Sequence, residues 1–500
     1  MQPPATLRVF WLNAPEDIAR ALTMISAAVS LTNDIAYKLV HLSQPSSFGT
    51  EEIVGCLRAS NFIIKPNGEW YIEAAIRRFL LDQLSLKQDM EKLAHETLLD
   101  EALRAVHHLA ERPVPKYLHL KVGEAYHVTA LRPEEGLLLY REAYKDEYTG
   151  EQWLLGELAY EQYQRKVLPQ HIIEPFFFRG MTAYRERRWQ DAERNFLRVA
   201  DDGAVRDEVA VASHLLGLIL QRQRHLYQKA KDYMEQGLRI EEALGKQHGR
   251  AVVMHSLANL IGDREPVRAR NLLEESSEIL KKRDPHGYAE VQHSLGKHIM
   301  KADPRRAEEL LRTSLNLLVK LNDLHGQAQV LHTLGKMLRR SKPSQAVDYL
   351  RRSLALRRQL GIWREQAQVM QSIAEIMGKE APEYARKLLL EALEIEKEFN
   401  NKHGEAQVLN ALGMNLRGHD WKEARARFEN VLSLSNHPKD LAVAHLGLSH
   451  VAEEHDHDLP SAHSHMQKAI HYQGLTNRSD LVRSHQKRLR DIERRMQAGL

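Results

Sequence analysis

Apolar residues recur along most of the chain at helical spacing. From Ala328, the residues Val330, Leu334 and Leu338 fall on one face of a predicted helix, and Ala346, Leu350, Leu354 and Leu356 do so on the next. Two amphipathic helices make a unit, and the unit returns. Sliding the chain against itself by about 39 residues aligns AEVQHSLGKHIM, AQVLHTLGKMLR, AQVMQSIAEIMG and AQVLNALGMNLR, which begin at Ala289, Ala328, Ala367 and Ala406. Weaker copies begin at Ala251 and lie near Leu216 and Gly217, near Gly180 and near Ser449, which gives eight units. Pro266, Pro304, Pro343 and Pro382 stand between the two helices of a unit, 38 or 39 residues apart. A fixed φ and a missing N–H suit the first turn of a new helix there. His-Gly recurs between units at Gly249, Gly287, Gly326 and Gly404, where it is expected at a helix end or as the left-handed residue of a tight connection. Trp363-Arg364-Glu365 breaks that rule once.

The small residues Gly296, Gly335, Ala374 and Gly413 of the first helices precede Ala307, Ala346, Ala385 and Ala424 of the second by eleven positions, and Leu311, Leu350, Leu389 and Phe428 follow four later. Small residues at both places let two helices approach closely, and the large one is expected to fill the gap between units. This arrangement, carried over residues 174–473, resembles the tetratricopeptide repeat. Its 39-residue spacing and HGxAxxLxxLG phrasing are similar to the longer repeat class of sensor arms in bacterial STAND-type NTPases and of eukaryotic cell-polarity adaptors. The resemblance implies an all-α chain: a right-handed superhelical solenoid of about eight repeats over 171–476, with a basic helix capping its last groove at 477–500.

At the other end, residues 13–42 read as two helices, the first opened by Asn13-Ala14-Pro15-Glu16-Asp17, and a third begins near Thr50. FIIKPNGEWYI then places Pro66-Asn67-Gly68 between two apolar runs, the strongest hairpin signal in the chain. Helix–helix–helix–hairpin is winged-helix order, and residues 51–84 resemble the winged-helix segment that precedes repeat arms in STAND proteins. A winged-helix-like domain with one β-hairpin is therefore expected over 1–92, and a helical linker or degenerate repeats over 93–170. The third helix starts Thr50-Glu51-Glu52-Ile53-Val54, acidic and apolar where a DNA-reading helix needs cations, so packing on protein is expected of it. No Gly-rich phosphate loop lies upstream of residue 13. The resemblance then implies a separate NTPase or effector chain as a partner.

Composition narrows the chemistry. A chain that is 43% hydrophobic, 28% charged and only 6% aromatic is neither disordered nor β-rich. Against 71 basic residues stand 67 acidic ones, which leaves no global field for a polyanion, so nucleic acid is not an expected partner. Cys56 is the single cysteine, which excludes an internal disulfide and a cysteine zinc cluster and suits a reducing, cytoplasmic setting. No apolar run of membrane-spanning length occurs, and Glu16 and Asp17 interrupt the start where a secretory leader needs apolar residues. GxxxxGK[ST], HExxH, GxSxG and GxGxxG are all absent, so no enzyme and no cofactor is expected.

In a solenoid of helix pairs the first helices line the concave face. Their offsets i, i+3 and i+7 give Glu290, His293 and Lys297; Gln329, His332 and Lys336; Gln368, Gln371 and Glu375; and Gln407, Asn410 and Met414. Extended backward, the middle station reads His214, His255, His293, His332, Gln371, Asn410. Such a ladder can hold the amides of an extended protein segment, while Lys297, Lys336, Arg339 and Arg417 favour acidic groups on it. A solvated inner face would inherit the same pattern. His255 with Asn259 comes near the Lys/Asn spacing of chaperone-carboxylate clamps, without matching it. Metal coordination along the ladder is not expected, because neighbouring helices stand ~8–10 Å apart and zinc ligands converge to ~2.0–2.1 Å of the ion. Seven histidines fall between His445 and His471, interleaved with acids, and the His455-Asp456-His457 stretch among them is expected at a turn, in a solvated loop before Leu459-Pro460 rather than on a metal. The expected function is a non-enzymatic scaffold, adaptor or sensor that binds a protein or peptide, in a setting that the resemblance places in bacterial signalling or antiviral defence. A winged-helix transcriptional regulator and a specificity subunit of a separate catalytic chain are the alternatives.

Overall fold

The computed structural model describes residues 16–28, 33–43, 45, 49–59, 63–64, 71–72, 77, 80–81, 84, 88–109, 124–145, 152–169, 172–476 and 479–498. It divides into two compact units, Met1–Ser256 and Leu257–Leu500. The division falls inside the stretch that reads as one repeat array.

In the first unit, α1 (Glu16–Ile25), α2 (Asn33–Leu42) and α3 (Thr50–Ala59) close over Leu22, Ile25, Leu39, Ile53 and Leu57. Two short strands, β1 (Ile63–Ile64) and β2 (Tyr71–Ile72), pair antiparallel with Ile63 opposite Ile72. The expected wing turn, Pro66-Asn67-Gly68, lies outside the described residues. α4 (Gln88–Leu109), the helical residues 124–131, α5 (Pro133–Lys145) and α6 (Gln152–Gln164) follow. They surround a buried polar cluster in which Tyr126 donates to Glu161 at 2.6 Å and Glu161 pairs with Arg77. Two helix pairs come next, α7 (Glu174–Arg185) with α8 (Trp189–Ala200), and α9 (Asp207–Leu220) with α10 (Tyr227–Ala243). α11 (Gln247–Ile261) spans the division.

The second unit continues with α12 (Pro266–Leu280) and then five packed pairs. These are α13 (Pro285–Ile299) with α14 (Pro304–Lys320), α15 (Leu324–Leu338) with α16 (Pro343–Gln359), α17 (Trp363–Met377) with α18 (Pro382–Glu398), α19 (Lys402–Leu416) with α20 (Trp421–Leu434), and α21 (Pro438–Val451) with α22 (Leu459–Gly474). α23 (Ser479–Gln497) ends the chain; its Ile492 is buried against Ala462 and Met466, and its Arg488 and Arg495 both pair with Glu453. The architecture is that of an all-α, tetratricopeptide-like solenoid of stacked helix pairs.

The recurring residues have distinct jobs. Pro266, Pro304, Pro343 and Pro382 each begin a second helix. A Cβ at Gly335 would stand 2.5 Å from Leu350 Cγ and 3.1 Å from the Ala346 carbonyl, so the missing side chain sets the approach of α15 to α16. Leu350 thus fills space inside its own pair and not only between units. Phe428 does both, for it abuts Gly413 of its own pair and Gly447 of the next. The His-Gly glycines are not the left-handed residues. Gly245, Asn322, Gly361 and Asn400 carry the positive φ at the ends of the second helices. Gly287 and Gly326 lie in the first turn of α13 and α15, where their N–H groups donate to the capping carboxylates of Asp284 and Asp323 at 2.9 Å. A side chain at Gly287 would collide with the Asp284 cap, 2.5 Å away, which is why glycine stands there.

Gly335→Val should therefore destabilise the second unit by about 1–3 kcal/mol, the usual cost of overpacking. Gly418→Ala, with nothing within 4 Å of the added carbon, should leave the melting temperature nearly unchanged. Thermal unfolding followed by circular dichroism checks both.

Candidate ligand groove

The first helices α15, α17, α19 and α21 stand side by side and line a cavity of about 1460 Å³. Eight of the residues read from the sequence as partner-binding line it: His332, Lys336, Arg339, Gln368, Gln371, Gln407, Asn410 and Arg417. The other seven, His214, His255, Asn259, Glu290, His293, Lys297 and Gln329, lie on α9, α11, α13 and α15 and do not line it.

The ladder stations tie each repeat to the next. His214 Nε2 lies 2.8 Å from Ser256 Oγ, His293 Nε2 2.8 Å from Thr333 Oγ1, and His332 Nε2 3.2 Å from Ser372 Oγ. The hydroxyls of Thr333 and Ser372 donate to the carbonyls of Gln329 and Gln368, four residues back. Each has one proton, so its oxygen accepts from the imidazole N–H, which puts a proton on Nε2 of the ring. Burial pushes His332 down to about 3, helped by nearby Arg357 and Lys336, and His214 down to about 4, helped by His255. The ladder continues as Gln371 donates to the Gln407 carbonyl at 3.4 Å and Asn410 to the Asp440 carbonyl at 3.0 Å. The accepting hydroxyls Ser256, Thr333 and Ser372 each follow a ladder station directly.

The groove is basic. Lys301, Lys336, Arg339, Lys379, Arg417 and Lys439 line it against Glu375, Asp440 and Glu454. Arg339 pairs with Glu375 at 3.6 Å and Arg417 with Glu454 at 3.5 Å, while Asp440 is tied to His403 and Ser435. Lys301, Lys336, Lys379 and Lys439 make no ion pair among the described residues, and they supply the surplus. Desolvation in the groove lowers the Lys336 ammonium below the usual lysine range and raises the Glu375 carboxyl. Two groove amides also have unmet bonding capacity. Asn410 is buried with its Oδ1 unpartnered, and Asn415 Nδ2 is buried without an acceptor. Lys439 and Asn415 were missed because the first belongs to a degenerate repeat and the second lies one residue past the i+7 offset.

His457 is exposed at the turn before Leu459, as expected, but the C-terminal histidines are not all solvated. His445 and His450 are buried within α21, and His445 Nδ1 lies 3.0 Å from His465 Nδ1 of α22. Burial pushes His445 and His450 down to about 4 each. A π-turn over Ala452–Asp456 carries α21 onward to the left-handed His457, so the turn is confined to a few residues.

No protein-family model matches the chain, and no curated protein matches it by sequence. Solved structures align with it, one of them at a TM-score above 0.5. A STAND protein with a tetratricopeptide-repeat sensor from Pyrococcus horikoshii aligns with 98% of this chain and 68% of its own at a TM-score of 0.55 and 14% identity. The apo quorum sensor NprR from B. thuringiensis aligns with 76% of this chain and 100% of its own, at 0.47 and 14%. A Rap protein solved with Competence and Sporulation Factor aligns with 76% of this chain and 100% of its own, at 0.43 and 12%. The class is thus a tetratricopeptide-like repeat protein with the fold of a STAND sensor.

Histidines held neutral in the fold but titrating near 6.5 when unfolded bind more protons in the unfolded chain. Stability should therefore fall as pH drops from about 6.5 towards 4, the window set by His214, His445 and His450, and His332 extends it to about 3. Melting temperatures across that range should decline steadily, and His332→Gln, which keeps a donor without a titrating ring, should flatten the slope.

Proposed function

We propose that this chain is a non-enzymatic recognition module whose groove along α15, α17, α19 and α21 binds an extended protein segment bearing acidic side chains. The observation that carries the reading is the surplus of cations in one cavity, where Lys301, Lys336, Lys379 and Lys439 make no ion pair among the described residues. Amide groups of a bound segment meet the polar side chains of the groove wall. Its carboxylates meet Lys336 and Lys439, in a groove where desolvation strengthens charge-assisted hydrogen bonds. The exposed Gln368 and the half-buried Gln407 offer further donors and acceptors along the same wall. The role that follows is an adaptor or sensor arm, with the right-handed superhelical array as its recognition surface. It works in a bacterial signalling or defence assembly beside a separate NTPase or effector chain, and the amino-terminal winged-helix-like segment packs on protein. Among the described residues no helix is long and apolar enough to cross a membrane.

The test uses the full chain and a fluorescent library of extended acidic, neutral and basic peptides. Acidic peptides should bind preferentially, and Lys336→Glu with Lys439→Glu should weaken that binding at least tenfold while helicity stays intact. Gln368→Ala should weaken acidic and neutral peptides alike. Equal affinity for all three peptide classes, or indifference to the lysine reversals, would remove the groove as the binding surface.

A further inference from the structure

One repeat boundary gathers two imidazoles and a buried carboxylate. His403 stands in the first turn of α19, His437 is the N-cap of α21, and Asp440 lies in the first turn of α21. One ligand atom from each side chain falls within 4.8 Å of the others. His403 Nδ1 lies 2.7 Å from Asp440 Oδ2, and the two imidazole centroids are 4.5 Å apart. Mid-helix ladder residues stay separated by the spacing of the helices. These three converge because helix beginnings and the connection before α21 point into one corner.

We propose that His403, His437 and Asp440 form a binding site for a divalent transition metal, with zinc as the fitting ion. Two imidazoles and a carboxylate are the donor set that zinc accepts when one position stays open. Tetrahedral ligand atoms at about 2.0–2.1 Å from zinc stand roughly 3.3 Å from one another. The His403–Asp440 contact must open slightly to reach that spacing, and His437 must close by no more than about 1.5 Å from the 4.8 Å limit. Both imidazoles have solvent access.

The surroundings support a cation here. Asp440 is 1% exposed, yet no lysine or arginine pairs with it among the described residues; its partners are His403 and the Ser435 hydroxyl, which donates at 2.7 Å. A carboxylate buried so deeply calls for a compensating positive charge. The Gln407 amide lies 2.8 Å from His403 Nε2. Its nitrogen donates to the ring, so the imidazole proton sits on Nδ1 and is donated to Asp440, the position a metal ion would take when that proton leaves. His437 Nδ1 now accepts the Lys439 N–H at 3.3 Å, a long capping bond that ligation would replace. Asp440 also lines the ligand groove, so the ion would stand at its edge with a position open to water or to a carboxylate. The site stands on its own residues, whether or not the groove binds a peptide.

Full-length protein, stripped with a chelator, is titrated with zinc chloride by calorimetry and with cobalt chloride by visible absorption. One ion per chain should bind at micromolar concentration or below, with cobalt showing the bands of a low-symmetry, nitrogen- and oxygen-ligated ion. His403→Ala and His437→Ala should each weaken binding at least tenfold with unchanged circular dichroism. Asp440→Asn should do the same, but it alters a buried group, so the two histidine variants decide. Absence of saturable binding would overturn the site. So would binding that survives intact in the double histidine variant, because the ion would then belong to other histidines such as the His445–His465 pair.

Discussion

The close approach of the two helices in each pair governs everything built on it. Where Gly335 faces Leu350 and Gly413 faces Phe428, the absence of one side chain lets a bulky neighbour seat against the backbone. The second helix is then held at a fixed distance behind the first. With the second helices occupied in this way, the first helices are left to form a wall of their own. That wall, at α15, α17, α19 and α21, is where the groove lies. Hydrogen bonds across the pairs keep the rise in step, as Ser314 and Ser353 donate at 2.7 Å to the carbonyls of Ala289 and Ala328, 25 residues earlier in each case.

Much of this could be read from the sequence because it repeats. A proline that opens a helix, a glycine that admits a leucine and an alanine that never varies all announce themselves by returning at one interval. What the interval hides is direction. His214, His293 and His332 recur just as regularly, and their stations were legible, but the pattern says nothing about the hydroxyl that each meets in the following unit. The His-Gly pair was misassigned for a related reason. A recurrent glycine suggests a left-handed turn, whereas at Gly287 it makes room for a capping aspartate, and the left-handed positions fall to Asn322 and Asn400 as well as to glycine.

The site was legible where it coincided with the repeat and illegible where it did not. His332, Lys336, Gln371 and Asn410 follow from helical offsets. Lys439 and Asp440 come from a degenerate copy, and their placement depends on the Pro438 turn and the cap at His437. The interleaved histidines and acids after His445 look solvated in one dimension. In three, α21 carries His445 and His450 inward, so that alternation of charge along a chain is a poor guide to exposure where a helix persists through it.

The imidazole-to-hydroxyl links have a mechanical side. In the second unit the same residues that floor the groove also fasten adjacent units, so the width of the groove and the pitch of the stack are one variable. A guest spanning several rungs acts as a splint, resisting both stretch and compression. By reciprocity, tension that lengthens the stack must loosen its hold on the guest.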